Sequence, residues 1–190
     1  MLDLRIQQHF IDSADLHYQV AEALAKPVDA AVQAVLASVT GGGKVLVAGQ
    51  GPSAALAQYL AQLLVGGFER ERPGLAAVAL SAEAWPAEDH LARQVRALGQ
   101  TGDVLVLISP DGQENALLQA VHAAHEREMT VLALTGGQGG AVGKQLRETD
   151  VHVGVPHERG ARIREVQHLV LHCLCDGIDT QLLGEQEPLE

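Results

Sequence analysis

Apolar residues in the first forty positions of the chain recur at the spacing of one helix face. They lie three or four residues apart, as on a helix with about 3.6 residues per turn: Leu16, Val20, Leu24, Val28, Ala31 and Val35. Pro27 suits the first turn of a helix, so a second helix can begin within this segment. Three glycines at 41–43 end the pattern. We therefore expect an N-terminal helical segment over residues 1–43.

Five short runs that are apolar throughout follow this segment, at residues 45–48, 76–80, 104–108, 131–134 and 151–155. Such runs are typical of strands buried on both faces of a parallel sheet. Between and after them, residues 53–65, 87–98, 114–127, 141–147 and 161–183 favour helices. The pattern predicts one α/β domain over residues 1–190. It is a three-layer, doubly wound, five-stranded parallel sheet with an α/β core at 44–156 and a long C-terminal helix within 157–185.

Composition supports this fold and excludes one class of partner. The 190 residues are 47% hydrophobic and only 3% aromatic, so the core is built from Ala, Val and Leu. The formal net charge is −11, and no run of Lys and Arg occurs. Binding to the phosphate backbone of nucleic acids needs a basic surface. We therefore expect no direct nucleic-acid binding.

The cysteines and the first residues bear on the compartment. Cys173 and Cys175 are the only cysteines, and a separation of two residues directs them to different sides of a helix or strand. This favours free thiols in a reducing compartment over a disulfide or a zinc motif. Charged residues stand within the first five positions, without a long apolar stretch. We expect a cytoplasmic protein without a membrane span.

Two loops that follow predicted strands carry candidate chemistry. The first contains Gly49, Gly51 and Ser53 and opens a helix, where backbone N–H groups and a hydroxyl favour an anion. The second, at residues 109–114, also leads into a helix. A tight turn that needs glycine explains the first loop equally well. The spacing alone therefore leaves a phosphate site and a structural turn as alternatives.

Several segments together resemble the sugar isomerase (SIS) domain family: residues 49–53, 68–73, 102–105, 108–109, 134–136, 161–165 and 173–179. The most similar branch contains the bacterial phosphoheptose isomerases and a non-enzymatic relative that associates with the replication initiator DnaA. The resemblance implies a flavodoxin-like parallel sheet. It also implies a homotetramer built by the N-terminal and final helices.

The enzymes of this branch carry His and Glu on the helix after the first loop, and Gln and His on the last helix. These groups bind zinc and move the proton. The corresponding positions here hold Tyr59, Leu63, Arg164 and His172. Leucine accepts no proton, and arginine repels a divalent cation. We expect no zinc or other metal, and His172 is the one surviving catalytic candidate. A histidine satisfied at a helix interface is the alternative for His172.

The second loop departs from the family in charge. The branch enzymes hold the sugar phosphate there with hydroxyls, whereas this chain has Asp111 and Glu114. Carboxylates repel a phosphate dianion, although acids in the first turn of a helix also simply favour the helix dipole. The resemblance thus implies a remnant ligand pocket made of Gly49, Gly51, Ser53, Ser109, Asp111, Gly112, Glu114 and Thr135.

A third departure is a shortened segment between the second strand and the next helix, at residues 80–89. The loop that closes over substrate in the branch enzymes is missing from it. The one tryptophan, Trp85, lies in this segment and is expected to fill the crevice or to contact a second subunit.

These departures predict a non-catalytic homotetrameric scaffold that binds a protein such as a DnaA-like initiator. Leu182 and Leu183 are candidate partner contacts, unless they pack against a neighbouring subunit. The alternative is a phosphoheptose isomerase that converts sedoheptulose 7-phosphate to D-glycero-D-manno-heptose 7-phosphate, or a phosphosugar-binding sensor.

Overall fold

Five strands form one parallel sheet in the computed structural model of the chain, which describes residues 1–81 and 89–185. The spatial order is β2-β1-β3-β4-β5. The strands are β1 (Val45–Gly49), β2 (Ala77–Ala79), β3 (Val104–Ile108), β4 (Thr130–Gly136) and β5 (Val151–Val155). The order reverses between β1 and β3, as in flavodoxin-like sheets. The doubly wound α/β prediction is confirmed.

The described residues contain six helices, which cover both faces of the sheet. They are α1 (Leu2–Thr40), α2 (Pro52–Gly66), α3 (His90–Leu98), α4 (Asn115–Glu126), α5 (Gly140–Gly143) and α6 (Gly160–Leu183). Helices α1, α2 and α6 pack on one face, and α3 and α4 pack on the other. None of the helices in these ranges is long and apolar enough to cross a membrane.

The strands explain why two apolar layers exist. Val45 and Val47 of β1 point into the layer of α1, α2 and α6, whereas Leu46 and Ala48 point into the layer of α3 and α4. Side chains alternate between the faces of a strand, so a strand buried on both faces must be apolar at every position. This places the sheet at the centre of three layers.

The prediction that a second helix begins at Pro27 is wrong, because α1 runs without interruption from Leu2 to Thr40. Proline removes one backbone hydrogen bond from a helix interior. Buried residues on both sides of Pro27, among them Leu24 and Ala31, belong to the same apolar layer. This packing keeps both halves of the helix in line.

Two helix boundaries also differ from the predictions. The segment predicted over 141–147 is a single turn, α5. After α5 the Asp150 carboxylate, instead of a backbone carbonyl of a continued helix, accepts the N–H of Arg147 at 2.7 Å, and it also accepts the N–H of Val131 at 2.8 Å. The helix predicted from residue 87 begins at His90 within the described ranges. Trp85 and its predicted role lie outside these ranges.

Candidate active site

A cleft opens beside the carboxyl ends of β1 and β3, where strand order reverses and ligands of open α/β sheets bind. Its volume is about 470 Å³, which suits a small molecule. The first turns of α2 form one wall and α6 forms the other. The lining residues are Pro52, Ala55, Leu56, Ala161, Arg164, Glu165, His168, Leu169 and His172. Every charged or titratable side chain among them belongs to α6.

The first predicted loop adjoins this cleft as a tight strand-to-helix turn. Gly51 has φ of 53°, a backbone conformation that favours glycine. A Cβ atom on Gly49 would come 2.5 Å from the carbonyl oxygen of Ser53, so this position also requires glycine. The Ser53 hydroxyl is buried and has no hydrogen-bond partner among the described residues. The structural reason for the glycines is therefore present, and ligand binding by Ser53 stays a prediction.

The second predicted loop is closed by its own side chains. The Ser109 hydroxyl lies 2.6 Å from Oε2 of Glu114 and accepts the backbone N–H of Gly112 at 2.8 Å. A carboxylate oxygen of Asp111 accepts the N–H of Gln113 at 3.1 Å. Ser109 and Gly112 are buried. Groups that a phosphate would use in such a loop are engaged within it.

Thr135 lies apart from the cleft. It shares the sheet face of Val131 and Ala133, which pack against α3 and α4, and it is fully buried. Its hydroxyl lies 2.7 Å from Nε2 of His152. The alternation of side chains along β4 directs Thr135 to this face, and its predicted place in a ligand pocket stays a prediction.

A cluster of rings adjoins the cleft between α2 and α6. The Tyr59 hydroxyl lies 2.8 Å from Nε2 of His172. The ring centres of His168 lie 4.8 Å from Tyr59 and 4.9 Å from His172. Phe68 covers His172 at a centre-to-centre distance of 5.2 Å. Two imidazoles and a phenol therefore meet at one place.

The carboxylate of the cleft, Glu165, is neutralised by its neighbours. Its Oε1 forms an ion pair with Arg162 at 2.6 Å, and its Oε2 accepts the Ser13 hydroxyl at 2.7 Å. Arg164 contrasts with it, since no hydrogen bond or ion pair joins its guanidinium to another residue in the described ranges. The cleft thus contains one uncompensated positive charge.

The sequence predictions identified His172 and Arg164 but missed His168 and Glu165. The signal was the helical period of α6, because residues 164, 168 and 172 lie one turn apart on one face. The partial desolvation of His168, with the neighbouring charge of His172, lowers the pKa of His168 below its ordinary value. The lowered pKa favours the neutral imidazole form of His168, the form that accepts a proton.

The residues of the cleft do not fit the zinc ion that the family resemblance implies. Nε2 of His172 faces the Tyr59 hydroxyl, and Leu63 packs with the core instead of offering a carboxylate. Arg164 adds a positive charge to the same wall. Within residues 1–81 and 89–185, no three His, Cys, Asp or Glu side chains are grouped to hold a metal ion.

Comparison with known proteins assigns this fold a family. The model of the SIS domain matches residues 8–136. The phosphoheptose isomerase of Methylibium petroleiphilum is 55% identical over 196 aligned positions, which cover 98% of each chain. The phosphoheptose isomerase of Azoarcus sp. is 50% identical, with 96% of this chain and 98% of that protein covered.

Solved structures agree with the sequence relatives. The phosphoheptose isomerase structure from Neisseria gonorrhoeae superposes with a TM-score of 0.88 at 39% identity and covers 95% of this chain and 100% of that chain. The structure from Francisella tularensis gives a TM-score of 0.89 at 36% identity, with 95% and 99% covered. The similarity therefore extends over nearly the whole of each chain.

The prediction of a non-catalytic scaffold is wrong, because these full-length relatives are named as isomerases. Leu63 and Arg164 replace two of the family's catalytic groups, but two imidazoles and a carboxylate line the cleft and a phenol contacts one of these imidazoles. The comparisons give no support to an association with DnaA or to replication initiation. Leu182 and Leu183 are exposed at the end of α6, and their role in partner binding stays an untested prediction.

Proposed function

The chain belongs to the SIS domain family, in its phosphoheptose isomerase branch, and we propose that it is an isomerase of a phosphorylated heptose. The proposed reaction converts sedoheptulose 7-phosphate to D-glycero-D-manno-heptose 7-phosphate. The observation that carries the proposal is the 55% identity, over 98% of both chains, with a phosphoheptose isomerase. The cleft at the switch point of the sheet supplies groups for the chemistry.

Interconversion of a ketose and an aldose moves a proton between adjacent carbons through an enediol, so it needs a base and an acid. His168 is the proposed base, since it lies at the cleft wall and its lowered pKa favours the neutral imidazole form. It takes the proton from the carbon beside the carbonyl and returns it to the neighbouring carbon.

The hydrogen-bonded pair of Tyr59 and His172 is the proposed acid. Its hydroxyl-to-nitrogen distance of 2.8 Å allows a proton to pass between the two groups. The pair protonates the carbonyl oxygen of the substrate and accepts the proton of the adjacent hydroxyl. The ring of His168 lies within 5 Å of both rings, so base and acid face the same two carbons.

We propose that this proton transfer needs no resident zinc. The donor set around His172 lacks the family's carboxylate, because Leu63 stands there. The guanidinium of Arg164 in the same wall opposes a divalent cation by like-charge repulsion.

We also propose that the chain assembles as a homotetramer through α1 and α6. Two features support this assembly. The first ten residues are all exposed and include Leu2, Leu4, Ile6 and Phe10. An apolar groove between α1 and α6, lined by Val20, Leu24 and Val170 among others, offers a docking face for the helix of another subunit.

The function is tested by incubating purified protein with sedoheptulose 7-phosphate in D₂O and following the products by NMR. We expect an aldose phosphate with deuterium on carbon 2, because the abstracted proton exchanges with solvent. Protein treated with a chelator and protein supplied with Zn²⁺ should react at the same rate. Absence of product under both conditions contradicts the isomerase proposal, and product only with Zn²⁺ contradicts the metal-free reaction.

A further inference from the structure

We infer that Arg164, on α6, binds the phosphate of the substrate, and that Glu114 keeps phosphate out of the loop after β3. This inference rests on the proposed phosphosugar substrate and assigns the anion-binding residue of its site. The substrate phosphate is then bound by the guanidinium on α6 instead of by hydroxyls in the loop after β3, as the family resemblance implies.

The Ser109 hydroxyl and three backbone N–H groups of the loop after β3 are engaged within the loop. The Ser109 hydroxyl donates a hydrogen bond to the Glu114 carboxylate. It accepts hydrogen bonds from the N–H groups of Asp111 and Gly112, at 3.2 and 2.8 Å. The backbone N–H of Gln113 donates a hydrogen bond to the Asp111 carboxylate. Glu114 thus occupies the place of an external anion, and a dianion brought beside these two carboxylates would be repelled.

Arg164 has the opposite properties. Its side chain lines the cleft and has no ion-pair partner in the described ranges. Both terminal nitrogens lie within 4 Å of the point where a Cβ atom of Gly160 would stand, and Cβ of Pro110 lies 3.4 Å from that same point. The guanidinium therefore lies between the start of α6 and the loop after β3.

The carboxylate next to Arg164 does not compete for this charge. Glu165 is held by Arg162 at 2.6 Å and by Ser13 at 2.7 Å. A guanidinium that is left unpaired binds phosphate through charge-assisted and often bidentate hydrogen bonds. The guanidinium reaches back to Gly160 at the start of α6, where the helix N-terminus adds a favourable field for an anion.

The spacing on α6 also orients the substrate. His168 and His172 follow Arg164 by one and two turns on the same face, which is roughly 6 and 12 Å along the helix axis. A phosphate held by Arg164 directs the carbon chain of the sugar along the cleft toward both imidazoles. The reactive end then reaches the ring cluster of Tyr59, His168 and His172.

Calorimetric titration with sedoheptulose 7-phosphate, and with inorganic phosphate as a second probe, tests this assignment. We expect Arg164→Gln to weaken binding of the phosphosugar about tenfold or more. Arg164→Lys should retain part of the affinity because it keeps the charge without the planar fork. Arg147→Gln is the matched control, since it removes the same charge from an exposed site away from the cleft, and it should bind as the parent does.

Glu114→Ser tests the second part of the inference, because removal of this carboxylate frees the Ser109 hydroxyl. We expect the double variant Arg164→Gln, Glu114→Ser to bind inorganic phosphate more tightly than Arg164→Gln alone. Unaltered affinity in Arg164→Gln, or no saturable binding of either probe to the parent protein, overturns the assignment of Arg164. A double variant that binds phosphate no better than Arg164→Gln overturns the role of Glu114. Binding through Arg164 without turnover would contradict only the isomerase proposal. Turnover with an unchanged KM in Arg164→Gln would contradict only the assignment of Arg164.

Discussion

At the scale of single residues, the groups able to transfer a proton lie at positions other than Leu63, on neighbouring turns of α2 and α6. Leu63 packs with the core of α1, α2 and α6, so its position offers no group for proton transfer. One turn earlier on α2, Tyr59 reaches Nε2 of His172 at 2.8 Å. His168 adds a second imidazole beside both. The residues at the family's catalytic positions are therefore only part of the site, because residues on a neighbouring helical turn supply further groups for proton transfer.

Replacement of Tyr59 by phenylalanine tests the acid of the proposed reaction. The variant keeps the contacts of the ring with His168 and His172. It removes the hydroxyl that hydrogen-bonds with Nε2 of His172. Loss of a general acid costs about 10²-fold or more in rate, so we expect kcat to fall by that order with little change in KM. Initial rates with sedoheptulose 7-phosphate measure the effect. Tyr18→Phe, which makes the same change on an exposed part of α1, should be as active as the parent, and equal kcat values for both variants would exclude Tyr59 as the acid.

At the scale of elements, the strands were predictable because both of their faces are buried. Burial on both faces requires an apolar residue at every position of β1 and β3. The sequence pattern of these strands can therefore be recognised without knowing which strands lie beside them. Helix boundaries depend on side-chain hydrogen bonds that no local pattern contains. Asp150, which binds the N–H groups of Arg147 and Val131, is an example. Pro27 is another, because packing on both sides overrides its local preference.

The site was predictable only in part for the same reason. The glycines of the first loop and the charges of the second follow from the sequence, and so do the residues at the family's catalytic positions. The closure of the second loop depends on the 2.6 Å contact between Ser109 and Glu114, which arises only in three dimensions. The burial of Thr135 on the far face follows from the register of β4 in the folded sheet. Sequence patterns thus locate the loops but not the direction of their polar groups.

The strand pair β4 and β5 contains a histidine that should make stability depend on pH. Burial lowers the pKa of His152, whose Nε2 lies 2.7 Å from the Thr135 hydroxyl. Because the folded pKa is below the unfolded value, the unfolded chain binds the proton more readily. The contribution of His152 to the free energy of unfolding is therefore complete above the unfolded pKa of about 6.5 and decreases as the pH falls toward the folded pKa.

Urea unfolding measures this dependence when it is repeated at several pH values between about 5 and about 8. We expect His152→Gln to unfold with a free energy that decreases less steeply on acidification than that of the parent. His122→Gln, at an exposed position of α4, should retain the parental slope. Parallel curves for the parent and His152→Gln would show that His152 does not carry the effect.

At the scale of the whole molecule, the start of α1 lies outside the hydrophobic core, whose first residue on this helix is Leu16. The first ten residues of α1, 2–11, are exposed throughout, although five of them are large apolar side chains. Its later part packs in the layer of α2 and α6 through Leu16, Val20 and Leu24. An apolar helix end that is free of its own core is a surface for self-association. The cleft wall on α6 is tied to this end of α1, because Arg162 donates to the carbonyl oxygen of His9 at 2.8 Å.

Replacing Ile6 and Phe10 together by serine should therefore disrupt the tetramer. Both side chains are exposed, at 50% and 75%, so the double variant removes apolar contact area between subunits without removing core of the domain. We expect light scattering after size-exclusion chromatography to give a tetramer for the parent and a smaller species for the variant, with unchanged helix content by circular dichroism. Leu98→Ser, which removes an exposed apolar side chain from α3, is the control and should stay tetrameric. A parent protein that elutes as a monomer, or a double variant of full tetrameric mass, would refute assembly through this helix.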